Sequence, residues 1–217
     1  MTEIAPTLGK TWEAEDDDRQ FAPACERNSS AILEVLTNHI PQKGKLLEIA
    51  AGTGQHGVYF APHFENIKWQ PTDPADDKIR SINAWSKTKE IPNLLSPIKL
   101  GTTTKTWPFN PNEFDAILCI NMIHIAPIGA AIGLFEKASS FIKKGGKVCL
   151  YGPYKREGKH TSPSNEEFSE RLQSRNETWG VRDLESEVIP LAKKNGFSFM
   201  DAIPMPSNNF MVIFKKA

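Results

Sequence analysis

The sequence predicts an α/β fold, a doubly wound and mostly parallel sheet of seven strands that ends with a C-terminal antiparallel strand. Three observations lead to this prediction. Short apolar runs alternate with helical patterns over most of the 217 residues, and this order requires parallel strands joined by helices. A glycine turn directly follows the first apolar run. Two runs near the end of the chain flank a Pro/Ser/Asn segment and predict an antiparallel hairpin.

The elements follow from the periodicity of the apolar residues. Helical spacing over 24–39, ended by Pro41, predicts a helix packed ahead of the first strand. Strands are predicted at five places: 45–49, 67–71, 96–100, 114–121 and 147–151. Helices are predicted at three places: about 55–62, 76–87 and 127–142. We expect Gly145 and Gly146 to end the last of these helices, and Pro127 to occupy its first turn.

After Gly152 the alternation of strands and helices stops. The segment 152–180 is charged, contains Pro153 and Pro163, and holds one amphipathic piece at about 165–175. We interpret this segment as an insertion that lies over the functional site.

The chain closes with a helix and the hairpin. The helix is predicted over about 183–195 with a kink at Pro190, and the two hairpin strands at 197–203 and 210–214. The sequence shows no internal repeat and no second domain. We therefore predict one domain preceded by a mobile polar arm, at residues 21–217 and 1–20.

Composition limits the class of protein and partner. Lys plus Arg equals Asp plus Glu, at 26 each, so the chain has no overall field to attract nucleic acid or an anionic membrane. A small-molecule partner is expected instead. The opening residues lack the features of a signal peptide and no apolar run approaches the roughly 20 residues of a membrane span, which predicts a cytoplasmic protein. No metal site is predicted, because neither the three cysteines nor His39, His63 and His160 have metal-ligand spacing.

The stretch 45–57 predicts a ligand site formed by a strand, a glycine turn and the start of a helix. Glycine lets the backbone approach a ligand closely, and the helix start presents unpaired N–H groups. Gly52, Gly54 and Gly57 fit the dinucleotide fingerprint Gly-x-Gly-x-x-Gly, with Asp73 near the distance of a ribose-binding acid. Glycines used only for packing are the alternative. However, Glu48 ends the strand where a dinucleotide domain usually has an apolar residue or glycine, which argues for another nucleotide-type ligand.

An acid at the strand end, then Ala50, then Gly52-Thr53-Gly54 resembles the first motif of class I S-adenosylmethionine (SAM) methyltransferases. The resemblance implies a Rossmann-like fold, SAM as cofactor and S-adenosylhomocysteine as product. It implies that Glu48 shapes the loop near the methionine part of SAM, and that Asp73 accepts hydrogen bonds from the ribose hydroxyls. The final antiparallel strand beside the fifth strand is also typical of these enzymes, whereas dinucleotide domains of this kind end in a parallel strand.

Over residues 19–217 the order of motifs is similar to that of the uncharacterised methyltransferase-like 26 family. The matching motifs are spread along nearly the whole chain, at residues 21–28, 52–57, 69–73, 121–125, 151–154 and 179–183. The sequence departs from many relatives after the third strand. They carry an acid or another polar residue that contacts adenine, whereas Leu100-Gly101-Thr102 stands here.

Three further residues are candidate cofactor ligands. Asn121 ends the fourth strand at the edge where ligands collect in open α/β sheets, and it either contacts the cofactor or caps the strand. Arg27 and Asn28 lie where the family resemblance implies a polar helix start near the cofactor carboxylate. Arg27 can pair with that carboxylate, or it can be exposed with Asn28 as a helix cap.

The candidate catalytic residues are His124 and Tyr154. His124 lies three residues after Asn121 and is a candidate general base, because the pKa of a free imidazole is near neutrality. The alternative is a histidine that hydrogen-bonds to backbone beneath the cofactor. Tyr151 and Tyr154 flank the Gly152-Pro153 pair at the mouth of the fifth strand, where their rings can bound the acceptor. Ordinary packing explains Tyr151 equally well.

The function predicted from these features is SAM-dependent methyl transfer to a small molecule. This reaction needs mainly alignment of donor and acceptor together with exclusion of water, and a base is needed only for an acceptor that carries a proton. One alternative is a SAM-binding protein without turnover that acts as a sensor or partner module. A third interpretation, a nucleotide-dependent oxidoreductase, is disfavoured by Glu48 and the final hairpin.

Overall fold

A computed structural model describes residues 18–217 as a seven-stranded sheet with helices on both faces. The predicted arm therefore lies outside the described residues except for its last three. Of these, Gln20 is held against the domain, since its N–H donates to Ser81 Oγ at 2.9 Å and its carbonyl accepts the indole N–H of Trp85. In the described part of the chain, no helix combines the length and apolar character that a membrane crossing requires.

The sheet confirms the predicted fold class. Its strands are β1 Gly44–Ile49, β2 Ile67–Asp73, β3 Ile98–Lys99, β4 Phe114–Ile120, β5 Ile142–Gly152, β8 Phe197–Met205 and β9 Asn209–Lys216. A separate two-stranded hairpin is formed by β6 Lys155–Arg156 and β7 Lys159–His160. The spatial order is β3-β2-β1-β4-β5-β9-β8. The first five strands pair in parallel, and β9 lies antiparallel to both β5 and β8.

Over residues 18–217, six α-helices accompany the sheet: α1 Pro23–His39, α2 Gln55–Phe60, α3 Asp76–Ser86, α4 Ile128–Phe141, α5 Pro163–Arg175 and α6 Ile189–Lys194. Alternate residues of the strands enter one of two apolar cores. The core that contains α1 and α2 receives Leu46 of β1, and the core that contains α4 and α6 receives Leu47. Burial of both faces explains why the strands read as continuous apolar runs.

Helix α4 ends close to the predicted residue 142, but the prediction that Gly145 and Gly146 end it is wrong. The helix ends at Phe141, and β5 begins at the next residue and runs through both glycines. Ile142 pairs with Phe114, and the register then shifts between Phe114 and Ala116. Gly145, with φ of 79°, lies in this irregular part of the strand. The two glycines therefore accommodate a bulge within a strand.

The helix predicted at 183–195 is split at the expected proline. A π-helical turn covers Leu184–Val188, and α6 follows with Pro190 in its first turn. Asp183 caps the start of the π-helical turn, because its Oδ1 accepts the N–H of Ser186 at 2.7 Å. Proline lacks an N–H and is tolerated only near a helix start, so the chain begins a new helix there.

The segment interpreted as an insertion is folded onto the domain. It contains the β6–β7 hairpin and α5, which begins after Ser162. The amide of Asn165 donates to Thr161 Oγ1 and to the carbonyl of Asn208, each at 2.9 Å. The N–H of Lys155 donates to the carbonyl of Arg182. The bond to Asn208 joins the middle of the segment to the turn between β8 and β9, and the bond to Arg182 joins its start to the residues that follow it.

Candidate functional site

Strained backbone marks the carboxyl edge of the sheet. Ala50 and Asn121, which follow β1 and β4, have φ of 54° and 62°. Ser207 and Asn208, in the turn between β8 and β9, have φ of 59° and 58°. That turn lies at the same edge, because Phe210 pairs with the last residue of β5. Non-glycine residues in this region each cost of order 1–3 kcal/mol and concentrate at functional sites.

The glycine loop is held by the acid that ends the neighbouring strand. Asp73 Oδ2 accepts the N–H of Gly52 and Oδ1 accepts the N–H of Ala75, both at 3.0 Å. Burial raises the pKa of Asp73, and these two bonds oppose the rise. Each carboxylate oxygen can accept a second hydrogen bond. Asp73 thus fixes the loop and can still accept bonds from a ligand.

Two glycines give the loop its shape. Gly54 has φ of 90°, and a Cβ there would lie 2.8 Å from the Cα of Ile82. Gly52 has φ of 60°, but a Cβ there would meet no atom within 4 Å. Gly54 therefore permits close packing of the loop on α3, whereas Gly52 leaves open space beside the loop for a ligand.

Glu48 lies beneath the start of α2 and is buried. Its Oε2 accepts the indole N–H of Trp69 at 2.7 Å, and a Cβ on Gly57 would lie 3.1 Å from the same oxygen. Burial raises the pKa of Glu48 to about 7, and the charge of Asp73 adds to the rise. The two acids singled out in the sequence therefore lie close enough to influence each other.

Asn28 connects α1 with the glycine loop and the sheet. Its Oδ1 bonds to His56 Nε2 at 2.8 Å, and its side chain also bonds to Tyr151. Cys25 Sγ lies 3.7 Å from His56 Nδ1. Burial lowers the pKa of His56 to about 4, so this histidine is neutral and holds the loop. Arg27, in contrast, is exposed on α1.

His124 is fully buried where the loop after β4 meets the end of the insertion. Its Nδ1 accepts the N–H of Arg182 at 3.2 Å, and its carbonyl accepts the N–H of Gly180 at 2.9 Å. A Cβ on Gly152 would lie 2.7 Å from His124 Nε2 and 3.2 Å from Asn121 Oδ1. A side chain at position 152 would therefore collide with the imidazole; the region where Gly152, His124 Nε2 and Asn121 Oδ1 meet is called the Gly152 niche below. Burial, assisted by the charge of Arg182, lowers the pKa of His124 to about 3.

Tyr154 is also fully buried, and its ring contacts that of His124 edge-on at 4.9 Å between centroids. Burial raises its pKa well above the ordinary value, so the hydroxyl keeps its proton. Within residues 18–217, Tyr154 Oη, His124 Nε2 and Trp179 Nε1 are buried without a hydrogen-bond partner. The sequence offered one signal for the roles of Trp179 and Arg182, namely that they belong to the 179–183 motif after the insertion.

The candidate residues are therefore gathered at one edge of the sheet, apart from Arg27, whose side chain faces solvent. Two surface cavities, of about 390 and 590 Å³, lie elsewhere, along 143–147 and along α3. Geometry and chemistry, not cavity size, identify the site. Among the residues that the structure describes, no group of three His, Cys, Asp or Glu side chains is arranged to hold a metal ion.

Residues 19–216 match the family model described as "Protein of unknown function (DUF938)". The fold is similar to several solved structures. The PH0226 protein from Pyrococcus horikoshii OT3 is 16% identical with a TM-score of 0.71, over 90% of this chain and 92% of that one. Geranyl diphosphate C-methyltransferase from Streptomyces coelicolor A3(2), solved with Mg²⁺, geranyl diphosphate and S-adenosylhomocysteine, is 13% identical with a TM-score of 0.68, over 88% and 80%.

An O-methyltransferase family 2 protein from Planctomyces limnophilus DSM 3776, solved with apigenin, is 17% identical with a TM-score of 0.75, over 89% of this chain and 58% of that one. At these identities the likeness establishes the fold alone, a Rossmann-like α/β fold that the chain shares with these methyltransferases.

Proposed function

Since the chain belongs to the family described as "Protein of unknown function (DUF938)", we propose its function from its site: SAM-dependent methyl transfer to a small-molecule acceptor. The observation that carries the proposal is the bond from the Gly52 N–H to Asp73 at the end of β2. The buried Glu48 lies beside it on β1, which is the strand between β2 and β4. The similarity of the motif order to the methyltransferase-like 26 family supports the same proposal.

The residues at the glycine loop fit the cofactor. The open space beside Gly52 admits a ligand next to backbone N–H groups, and Asp73 retains acceptor capacity for the two hydroxyls of a ribose. We assign Gly54, Ala50 and Glu48 to the loop around the methionine part of SAM. Bound SAM would supply a methyl group activated by the positive charge on sulfur.

The polar ends of α1 and β4 complete the proposed cofactor site. Asn28 is already fixed by His56, so it is preorganised for a contact with the cofactor. Arg27 precedes it on α1 and, as an exposed side chain, is free to turn toward a carboxylate. Asn121 is held in a strained conformation by the bond from its N–H to the carbonyl of Tyr151, at 2.7 Å. Such strain is often retained where a residue must contact a ligand.

We assign the acceptor to the space between the end of β4 and the 152–180 insertion. His124 and Tyr154 bound this space, and the insertion would exclude water from it. A small acceptor suits such an enclosed position. The equal numbers of acidic and basic residues agree with a partner other than nucleic acid or membrane.

Calorimetric titration with SAM, S-adenosylhomocysteine and NAD tests the proposal. We expect micromolar-class binding of the first two and none of NAD. Binding of NAD alone would overturn the proposal in favour of an oxidoreductase. Binding of SAM without transfer of labelled methyl to a low-molecular-mass cell extract would favour the sensor interpretation.

A further inference from the structure

The contact between Arg182 and His124 determines which imidazole nitrogen of His124 carries a proton. The backbone N–H of Arg182 donates to Nδ1 at 3.2 Å, so Nδ1 must present its lone pair. A neutral imidazole then carries its proton on Nε2. An imidazolium is incompatible with this contact, because two N–H groups would face each other. His124 Nε2 is therefore a hydrogen-bond donor and cannot accept a proton from an acceptor molecule.

This donor lacks a protein acceptor. His124 is fully buried and Nε2 has no partner among the described residues. The imidazole packs against the backbone of Gly152, since a Cβ there would lie 2.7 Å from Nε2. The amide of Asn121 borders the same niche and can present either its oxygen or its NH₂ group. A buried donor of this kind calls for a ligand that accepts a hydrogen bond.

Two more buried groups near His124 are also donors without partners. Tyr154 contacts the imidazole and keeps its hydroxyl proton, and Trp179 can only donate through Nε1. Trp179 directly precedes Gly180, which bonds to the carbonyl of His124. The guanidinium of Arg182 donates to the carbonyls of Ile123, Ala126 and Thr178, and its charge acts on His124. Glu187 is the acid whose charge acts on Arg182. Donors and a positive charge favour an anionic oxygen at this position.

On the basis of the proposed methyl-transfer function, we infer that the acceptor is a small carboxylate, bound through the hydrogen bond that His124 Nε2–H donates to one of its oxygens. The second oxygen is then free to attack. A carboxylate fits better than an alcohol, thiol or amine, because each of those must lose a proton, whereas His124 Nε2 is a donor and the amide of Asn121 is not a base.

The reaction of a carboxylate balances without a base. The attacking oxygen forms a bond to the methyl carbon while the carbon–sulfur bond of SAM breaks, and the bonding electron pair stays on sulfur. The products are a methyl ester and S-adenosylhomocysteine, and no proton moves. In this assignment His124 orients the acceptor and is a donor, not the general base that is one of the two interpretations of the sequence.

The experiment compares His124→Gln with His124→Phe. Glutamine can place an N–H group near the position of Nε2 but cannot act as a base near neutral pH, whereas phenylalanine fills the space without a donor. With methyl-tritiated SAM and a low-molecular-mass cell extract, we expect His124→Gln to retain kcat/KM within several-fold. We expect His124→Phe to lose about 10- to 100-fold, the effect of removing a hydrogen bond to a charged group. Equal and complete loss in both variants, with unchanged S-adenosylhomocysteine binding, would overturn the donor role.

The chemical class of the product is tested in the same reaction. Methyl esters release volatile methanol in mild alkali, whereas methyl ethers and N-methyl groups are stable, so we expect the label to become volatile. Alkali-stable label would overturn the carboxylate assignment.

If SAM binds and no label is transferred, the proposed function fails. Nitrogen NMR of the protein labelled with ¹⁵N-histidine, in the presence of S-adenosylhomocysteine, still tests the donor role of His124. An Nε2–H tautomer that is constant from about pH 5 to 8 supports the donor, and an Nδ1–H tautomer or an imidazolium overturns it.

Discussion

The N–H of Gly52 donates to a carboxylate oxygen of Asp73 at 3.0 Å, and this bond joins the turn after β1 to the end of β2. The loop is therefore shaped by a side chain that can also bind the ligand. Any change at Asp73 acts twice, on the conformation of the loop and on the contacts of the cofactor.

Asp73→Ala is expected to weaken SAM binding by about 1.5–3 kcal/mol, because charge-assisted hydrogen bonds are lost. Calorimetry measures the change. Asp76→Ala is a matched control, since Asp76 is an exposed carboxylate three residues further on that pairs with Lys99. Equal affinity of the Asp73 variant and the control would remove Asp73 from the cofactor site.

Gly54→Ala is expected to destabilise the fold and to abolish measurable SAM binding. The new Cβ would lie 2.8 Å from the Cα of Ile82, at a φ of 90° that alanine rarely adopts. The strain is of order 1–3 kcal/mol. Gly129→Ala is the control, because a Cβ there meets no atom within 4 Å. Denaturant unfolding and calorimetry should separate the two variants, and similar behaviour would contradict the proposed role of the loop.

The sequence was sufficient to predict a mostly parallel sheet of seven strands with a final antiparallel strand, and the position of the glycine loop. Both depend on local patterns: apolar runs of fixed period, and glycines and acids within a few residues of a strand end. The fifth strand was predicted to begin only at Lys147, because glycines at 145 and 146 are typical of a helix end, whereas pairing of Ile142 with Phe114 extends the strand backward. A contact with a distant strand overrode the local signal.

The chemistry of His124 could not be predicted from the sequence. Its tautomer depends on Arg182, which is 58 residues away along the chain, and its burial depends on the fold of the insertion. The bond between Asn28 and His56 likewise joins two helices. Spacing identifies which residues are near a strand end, but not which atoms of distant segments meet there.

Glu48→Gln is expected to change the pH dependence of stability. Burial raises the pKa of Glu48 to about 7 from an ordinary value of 4.5, so the folded state binds the proton more tightly than the unfolded state. Its contribution is fully present below about pH 4.5 and is lost as the pH rises through 7. The full effect is roughly 3 kcal/mol. The unfolding free energy of Glu48→Gln, relative to that of the unchanged protein, should therefore rise between pH 4.5 and 8.

Comparing Glu48→Gln with the unchanged protein isolates the effect of Glu48, because the buried histidines affect the stability of both proteins in the same way. The lowered pKa values of His56 and His124, about 4 and 3, make the stability of both proteins fall as the pH drops below about 6.5. Denaturant unfolding at several pH values gives the difference directly. A constant difference across this range would show that Glu48 titrates normally.

Gly152→Ala is expected to abolish methyl transfer while cofactor binding persists. The added methyl group would lie 2.7 Å from His124 Nε2, closer than van der Waals contact allows, so the imidazole would be displaced from the position in which it orients the acceptor. Transfer of labelled methyl to the cell extract and calorimetry with S-adenosylhomocysteine measure the two properties, with Gly129→Ala as the control. We expect a loss of at least about 100-fold in transfer, because displacement of the acceptor by even 1 Å disrupts alignment. Undiminished transfer would place the acceptor elsewhere, whereas parallel loss of cofactor binding would make the niche part of the cofactor site.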